Sequence, residues 1–220
     1  MPAYFTQTEL IACISYLVPV VPGWWLYSRM DVPLRLLVIT LTVIGLFAAA
    51  GYYTGEHYIP NLGMYFASYV LSFYLFSVVF LKLLPTLRAR WIIRAAMVLF
   101  ALFVLARLRY TLMPGHFDSY TPAGLSLAMM IYSVVFFNEQ LNLPQITFIY
   151  KTPWFWVVTG LLLYYAGSFL ILLTTSYLML RDNNFIRGLW DLLDVLTVIR
   201  NLLIALGFVW YKNTSWKTSL

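Results

Sequence analysis

Five stretches of this chain, residues 10–28, 36–55, 58–81, 119–138 and 152–180, run for 19 to 29 residues without one charged side chain. The hydrocarbon core of a bilayer is about 30 Å thick and an α-helix rises 1.5 Å per residue, so about 20 apolar residues cross it. Two further apolar segments carry charges inside them: 91–113 holds Arg94, Arg107 and Arg109, and 189–211 holds Asp191, Asp194 and Arg200. Together they predict an all-α, polytopic membrane protein with seven spans in a single domain, 1–220. Hydrophobic residues make up 62% of the chain and charged residues 10%, against roughly 25% charged in a soluble domain. A water-soluble fold cannot hide that much apolar surface.

The punctuation agrees. Pro33, Pro60, Pro85, Pro114, Pro122, Pro144 and Pro153 fall at or between the spans, where a missing backbone donor costs least. Pro19 and Pro22 lie inside the first, and the run Leu-Val-Pro-Val-Val-Pro-Gly-Trp-Trp is expected to kink or unwind it. The start of the chain lacks the basic region of a cleavable signal, so span 1 is expected to act as its own insertion signal.

The net charge of +6 would point to nucleic acid in a soluble chain. Here it points to loops facing anionic lipid, and no nucleic-acid partner is expected. Alternate connections collect Arg29, Arg35, Lys82, Arg88, Arg90, Arg94, Lys151, Lys212 and Lys217, nine of the fourteen basic residues. The other side has Arg107, Arg109, Arg181 and Arg187. By the positive-inside rule the amino terminus lies outside and the carboxy terminus in the cytoplasm of a cell whose inner membrane holds the protein. Tryptophans at both sets of span ends, Trp24, Trp25, Trp91, Trp154, Trp156, Trp190 and Trp210, fit an interfacial belt.

Span 7 carries the most informative chemistry, because ionisable groups within lipid face a bundle interior or a cavity. At about 100° per residue Asp194 and Asn201 superpose, with Asp191 and Thr197 about 60° to either side, forming one polar stripe. Arg200 lies near mid-membrane and needs an acid, a water-filled pocket or a set of carbonyls, as a structural partner or as part of a ligand site. Arg107 and Arg109 enter the same leaflet as Asp191 and Asp194. They either pair with those acids between spans 4 and 7 or snorkel to the interface. His57 and His116 each stand beside an acid and could hold zinc, although two loop histidines without further ligands also read as solvated surface residues. Gly160, Gly167 and Ser168, beside Tyr164, mark a face for close helix packing, and Asn138 and Glu139 read as an interfacial stop. The single Cys13 reads as a packing thiol.

No phosphate-cradling loop, nucleophile elbow or thiol pair occurs, so an enzyme is not expected, nor is a cofactor. The four lysines, Lys82, Lys151, Lys212 and Lys217, all stand at span ends or in loops, which argues against a retinal protein.

The run Thr-Pro-Trp-Phe-Trp at 152–156 with its following Gly and Tyr, and the later Leu-Asp-Val-Leu-Thr-Val-Ile-Arg-Asn-Leu-Leu-Ile-Ala-Leu-Gly, resemble the sixth and seventh helices of a family of small seven-helix membrane proteins from Bacteroidota, with Asn201 at a recurrent asparagine. The resemblance implies a seven-helix fold and a link to two-component signalling, and it supplies no ligand or catalytic residues. The Pro-Val-Val-Pro-Gly-Trp-Trp run in span 1 departs from it. The connections and the tail after Tyr211 are short, so the expected function is a non-enzymatic sensory or signalling-partner module acting through another protein or a second copy of itself. A small-molecule or ion permease and a structural subunit of a larger membrane complex are the alternatives.

Overall fold

The computed structural model describes residues 7–111, 118–142, 149–178 and 183–217. Seven helices in it are long and apolar enough to cross a membrane, as a multi-pass membrane protein requires. The first span is two segments, α1 (Gln7–Ser15) and α2 (Leu17–Leu26); each of the others is one helix: α3 (Val32–Glu56), α4 (Leu62–Leu83), α5 (Leu87–Thr111), α6 (Tyr120–Leu141), α7 (Pro153–Leu178) and α8 (Asn183–Lys217).

Proline sets several starts. Pro33 stands in the first turn of α3, Pro122 in that of α6, and Pro153 opens α7, positions whose N–H has no intrahelical partner to lose. Within the first span proline acts in the opposite way. Pro19 can neither donate to the carbonyl of Ser15 nor avoid crowding it. The helix is interrupted at Tyr16, whose backbone keeps helical angles (φ −62°, ψ −26°). Pro22 lies within a continuous α2, so the expected break sits one turn before Pro19 and not along the whole Pro-Val-Val-Pro run.

The helices pack as a ring in which α1 and α2 touch α8 and α3, α3 touches α4, α4 touches α6, α6 touches α7, and α7 touches α8. Helix α5 stands outside, against α4 and α6. Glycine closes the α7–α8 seam. A Cβ on Gly160 would lie 3.0 Å from Leu203 Cβ and 3.1 Å from the Arg200 carbonyl, and one on Gly207 would lie 2.8 Å from the Pro153 carbonyl. The small-residue face anticipated on span 6 therefore seats α8 of the same chain. At 35 residues, α8 is about 52 Å long, well beyond the ~30 Å hydrocarbon thickness.

The connections are clamped by side chains. Arg35 donates to the carbonyls of Met30 (2.7 Å) and Ser28 (3.1 Å), and Arg90 to that of Leu84 (3.0 Å). Glu139 at the end of α6 accepts from Thr86 before α5. Helix α3 ends in a six-residue hydrogen-bonded cap, Ile59 N–H to the Thr54 carbonyl and Tyr58 N–H to the Gly55 carbonyl, with Tyr58 at φ 55° where glycine is usual.

The two halves of the bundle are unlike. Toward the face where α8 ends, Leu34, Leu37, Phe76, Phe80, Tyr132, Phe136 and Phe208 fill the interior with no exposure above 1%. Toward the face where α1 begins, the interior is hollow.

Candidate functional site

Two cavities occupy the hollow half. One, of about 160 Å³, lies among α3, α4, α6 and α7, lined by Ser72, Ser126, Ser168, Tyr164 and Tyr165, with Arg200 reaching it from α8. The second, of about 390 Å³, lies among α1, α3, α4 and α8, lined by Glu9, Cys13, Tyr52, Trp190, Asp194 and Thr197. Tyr16, Ala48, Tyr65 and Tyr69 line both.

Arg200 is 2% exposed and Asn201 fully buried. Its Nε (3.2 Å) and Nη2 (3.1 Å) both donate to Asn201 Oδ1, and Asn201 Nδ2 donates to Ser15 Oγ (2.7 Å), which donates to the Ala12 carbonyl (2.6 Å). This chain ties α8 to the last turn before the break in the first span. The guanidinium carbon lies 4.3 Å from the ring centre of Tyr164 and 5.1 Å from that of Tyr16, two cation–π contacts at desolvated depth. No carboxylate among the described residues stands within ion-pair distance of it. The charge is met by an amide oxygen, tyrosines and a cavity.

The polar stripe expected on span 7 is continuous in space. Asp191 Oδ1 accepts from Thr8 Oγ1 (2.6 Å) at the start of α1, Asp194 and Thr197 line the larger cavity, and Asn201 meets Ser15. Glu9 stands on the same cavity as Asp194.

The pairing of Arg107 with Asp191 or Asp194 is overturned. Arg107 Nη2 binds Asp118 Oδ1 (3.3 Å) and its guanidinium stacks 4.7 Å from the Tyr120 ring centre. Asp118 is nearer because it directly precedes α6, which α5 touches. It also accepts from the Tyr120 N–H (3.1 Å) and the Thr121 hydroxyl (2.5 Å), capping that helix. The side chain of Arg109 lies outside the described residues. So does His116. His57 is exposed, its Nδ1 2.8 Å from the Tyr53 carbonyl and its ring against that of Tyr53. Among the described residues no three His, Cys, Asp or Glu side chains converge to hold a metal.

Compared with known protein families, with curated proteins and with solved structures, the chain matches none. The site therefore has to be read from its own chemistry.

Several lining residues escape a reading based on charge. Tyr16, Tyr69, Tyr164 and Tyr165 stand mid-span, away from the interfacial belt where tyrosine is ordinary, and Tyr65 stands in the first turn of α4. The available signal was their number, since the chain has 17 tyrosines. Glu9 had a second signal, as the only acid at the head of span 1. Cys13 lines a cavity and does not fill the core.

Proposed function

We propose that this chain is a seven-span inner-membrane protein, amino terminus outside and carboxy terminus in the cytoplasm, that holds a small ligand in its hollow half and acts as a sensory module through a partner protein. The observation that carries the reading is the asymmetry of the bundle centre: a tyrosine- and serine-lined hollow around buried Arg200 above an apolar-filled half, whose own cavity of about 470 Å³ lies off-centre between α5 and α6. Ligand sites in helical bundles are concave, mostly apolar and furnished with a few convergent polar groups, and an intramembrane arginine without an acid partner marks such a site. A permease needs a route through the other half, which Phe76, Phe80, Tyr132 and Phe208 occupy. The outward leucines and valines, Leu46, Val98, Leu99, Leu105, Leu170 and Leu202 among them, suit acyl chains. The nine-to-four distribution of basic residues supports the orientation.

Helix α8 supplies the means of coupling. It bears Asp194, Arg200 and Asn201 and continues without interruption to Lys217, so a displacement at the cavity is carried to the opposite face by one rigid element. The test is purification in mild detergent, with extracted small molecules identified by mass spectrometry and co-purifying proteins by stoichiometry. The expected result is a retained small molecule and a partner protein. Retention of neither, or ligand accumulation inside proteoliposomes, would overturn the sensory reading.

A further inference from the structure

Resting on that ligand-binding reading, we infer that the smaller cavity takes the carboxylate of a small organic acid, with Arg200 as its anchor. The cavity holds one buried cation and hydroxyls from Ser72 and several tyrosines, while Ser126 and Ser168 already donate to the carbonyls of Pro122 and Tyr165, and no carboxylate lines it among the described residues. A hydroxyl whose proton is not already committed can turn to donate to an anion shared with a guanidinium. Two of the guanidinium's five N–H groups share the single oxygen of Asn201 and Tyr16 takes a further hydrogen bond, which still leaves donor capacity on the group. Tyr164 and Tyr16 offer it ring faces. A planar carboxylate meets a guanidinium edge-on with two parallel hydrogen bonds, a geometry compatible with the tyrosine ring contacts.

The size sets the class. About 160 Å³ is close to the volume of a cavity that accommodates benzene, so the acid is a monocarboxylate with a short chain or one ring. A phospholipid headgroup is a poor fit, because its acyl chains would extend past Arg200 into the half that Phe76, Phe80 and Phe208 fill.

The experiment is calorimetric titration of the purified full chain with acetate, butyrate, caproate and benzoate, and with benzyl alcohol and benzylamine as neutral and cationic analogues of benzoate. Saturable binding of at least one carboxylate is expected, with benzoate at least about tenfold tighter than benzylamine and benzyl alcohol, a difference titration resolves readily. Ser72→Ala should weaken carboxylate binding several-fold, Arg200→Lys should retain part of it, and Arg200→Leu should abolish it. Should Arg200→Leu not fold, Arg200→Lys and Ser72→Ala carry the same comparison. No carboxylate binding, equal binding of benzylamine or benzyl alcohol, or binding unchanged in folded Arg200 and Ser72 variants would overturn the inference. A neutral or cationic molecule retained through purification would also overturn it and leave the ligand-binding reading intact.

Discussion

Arg200 shows how one residue can be both expensive and tolerated. A charged side chain near mid-bilayer costs roughly 2.5 to 3.5 kcal/mol on insertion scales. Here the cost is offset by Asn201, by two tyrosine faces and by cavity access. Among the described residues no carboxylate pairs with it, so Arg200→Leu orphans no buried acid, but it strips the buried Asn201 Oδ1 of both donors, and thermal stability in detergent should fall by about 1–3 kcal/mol. A large loss of melting temperature, restored by adding Asp194→Asn, would reveal an ion pair instead. Tyr58 presents the reverse case, an ordinary side chain in a costly conformation. A left-handed backbone costs a non-glycine residue roughly 1–2 kcal/mol, and the exposed Tyr58 side chain recovers little. Tyr58→Gly should therefore raise stability by up to about 1 kcal/mol once the greater unfolded-chain entropy of glycine is subtracted, measurable as a higher melting temperature.

At the scale of helices, the α7–α8 seam holds Arg200 in place through contacts that admit no side chain. Gly160→Ala puts a methyl against the backbone carbonyl of Arg200 itself, and overpacking of this kind costs about 1–3 kcal/mol. Gly63 in α4, where an added Cβ meets nothing within 4 Å, is the control: Gly63→Ala should be neutral or stabilise by up to about 1 kcal/mol. Comparing the two melting curves isolates close packing from helix propensity. The spans themselves were legible because length and apolarity are one-dimensional properties, and 36–55 and 119–138 differ from α3 and α6 by a few residues at each end. The stripe of Asp194, Thr197 and Asn201 was legible for the same reason, being a matter of helical phase. Neighbourhood was not. Nothing in the spacing of Arg107 distinguishes Asp118 from Asp191, since the choice depends on which helices touch. The tyrosine lining was hidden because tyrosine suits an interface, a core or a cavity equally well.

For the whole molecule, orientation is the property that all partner arguments depend on. With Cys13 replaced by serine, a cysteine at position 57 should react with an impermeant thiol reagent on intact cells, while one at position 88 should react only after the membrane is opened. The opposite pattern would place the hollow half toward the cytoplasm. Arg35 and Arg90 bear on this, because each is a topogenic charge that also clamps a helix end; replacing either with glutamine alters orientation and local structure together, so cysteine labelling is the cleaner measurement.

The contrast between hollow and solid halves also sets a sequence of opening events. Amides exchange with solvent as fast as their local structure opens, and regions with few buried apolar contacts open most cheaply. Segment α1 is nine residues long, set off from α2 by the single turn residue Tyr16, and bordered by a cavity along one side. Its amides should exchange well before those of α2 and of the carboxy-terminal halves of α4 and α6, so that the first turns to melt are those that cover Asp194 and Arg200, and access to the cavity is gained by loosening one short helix while the remaining bundle stays folded.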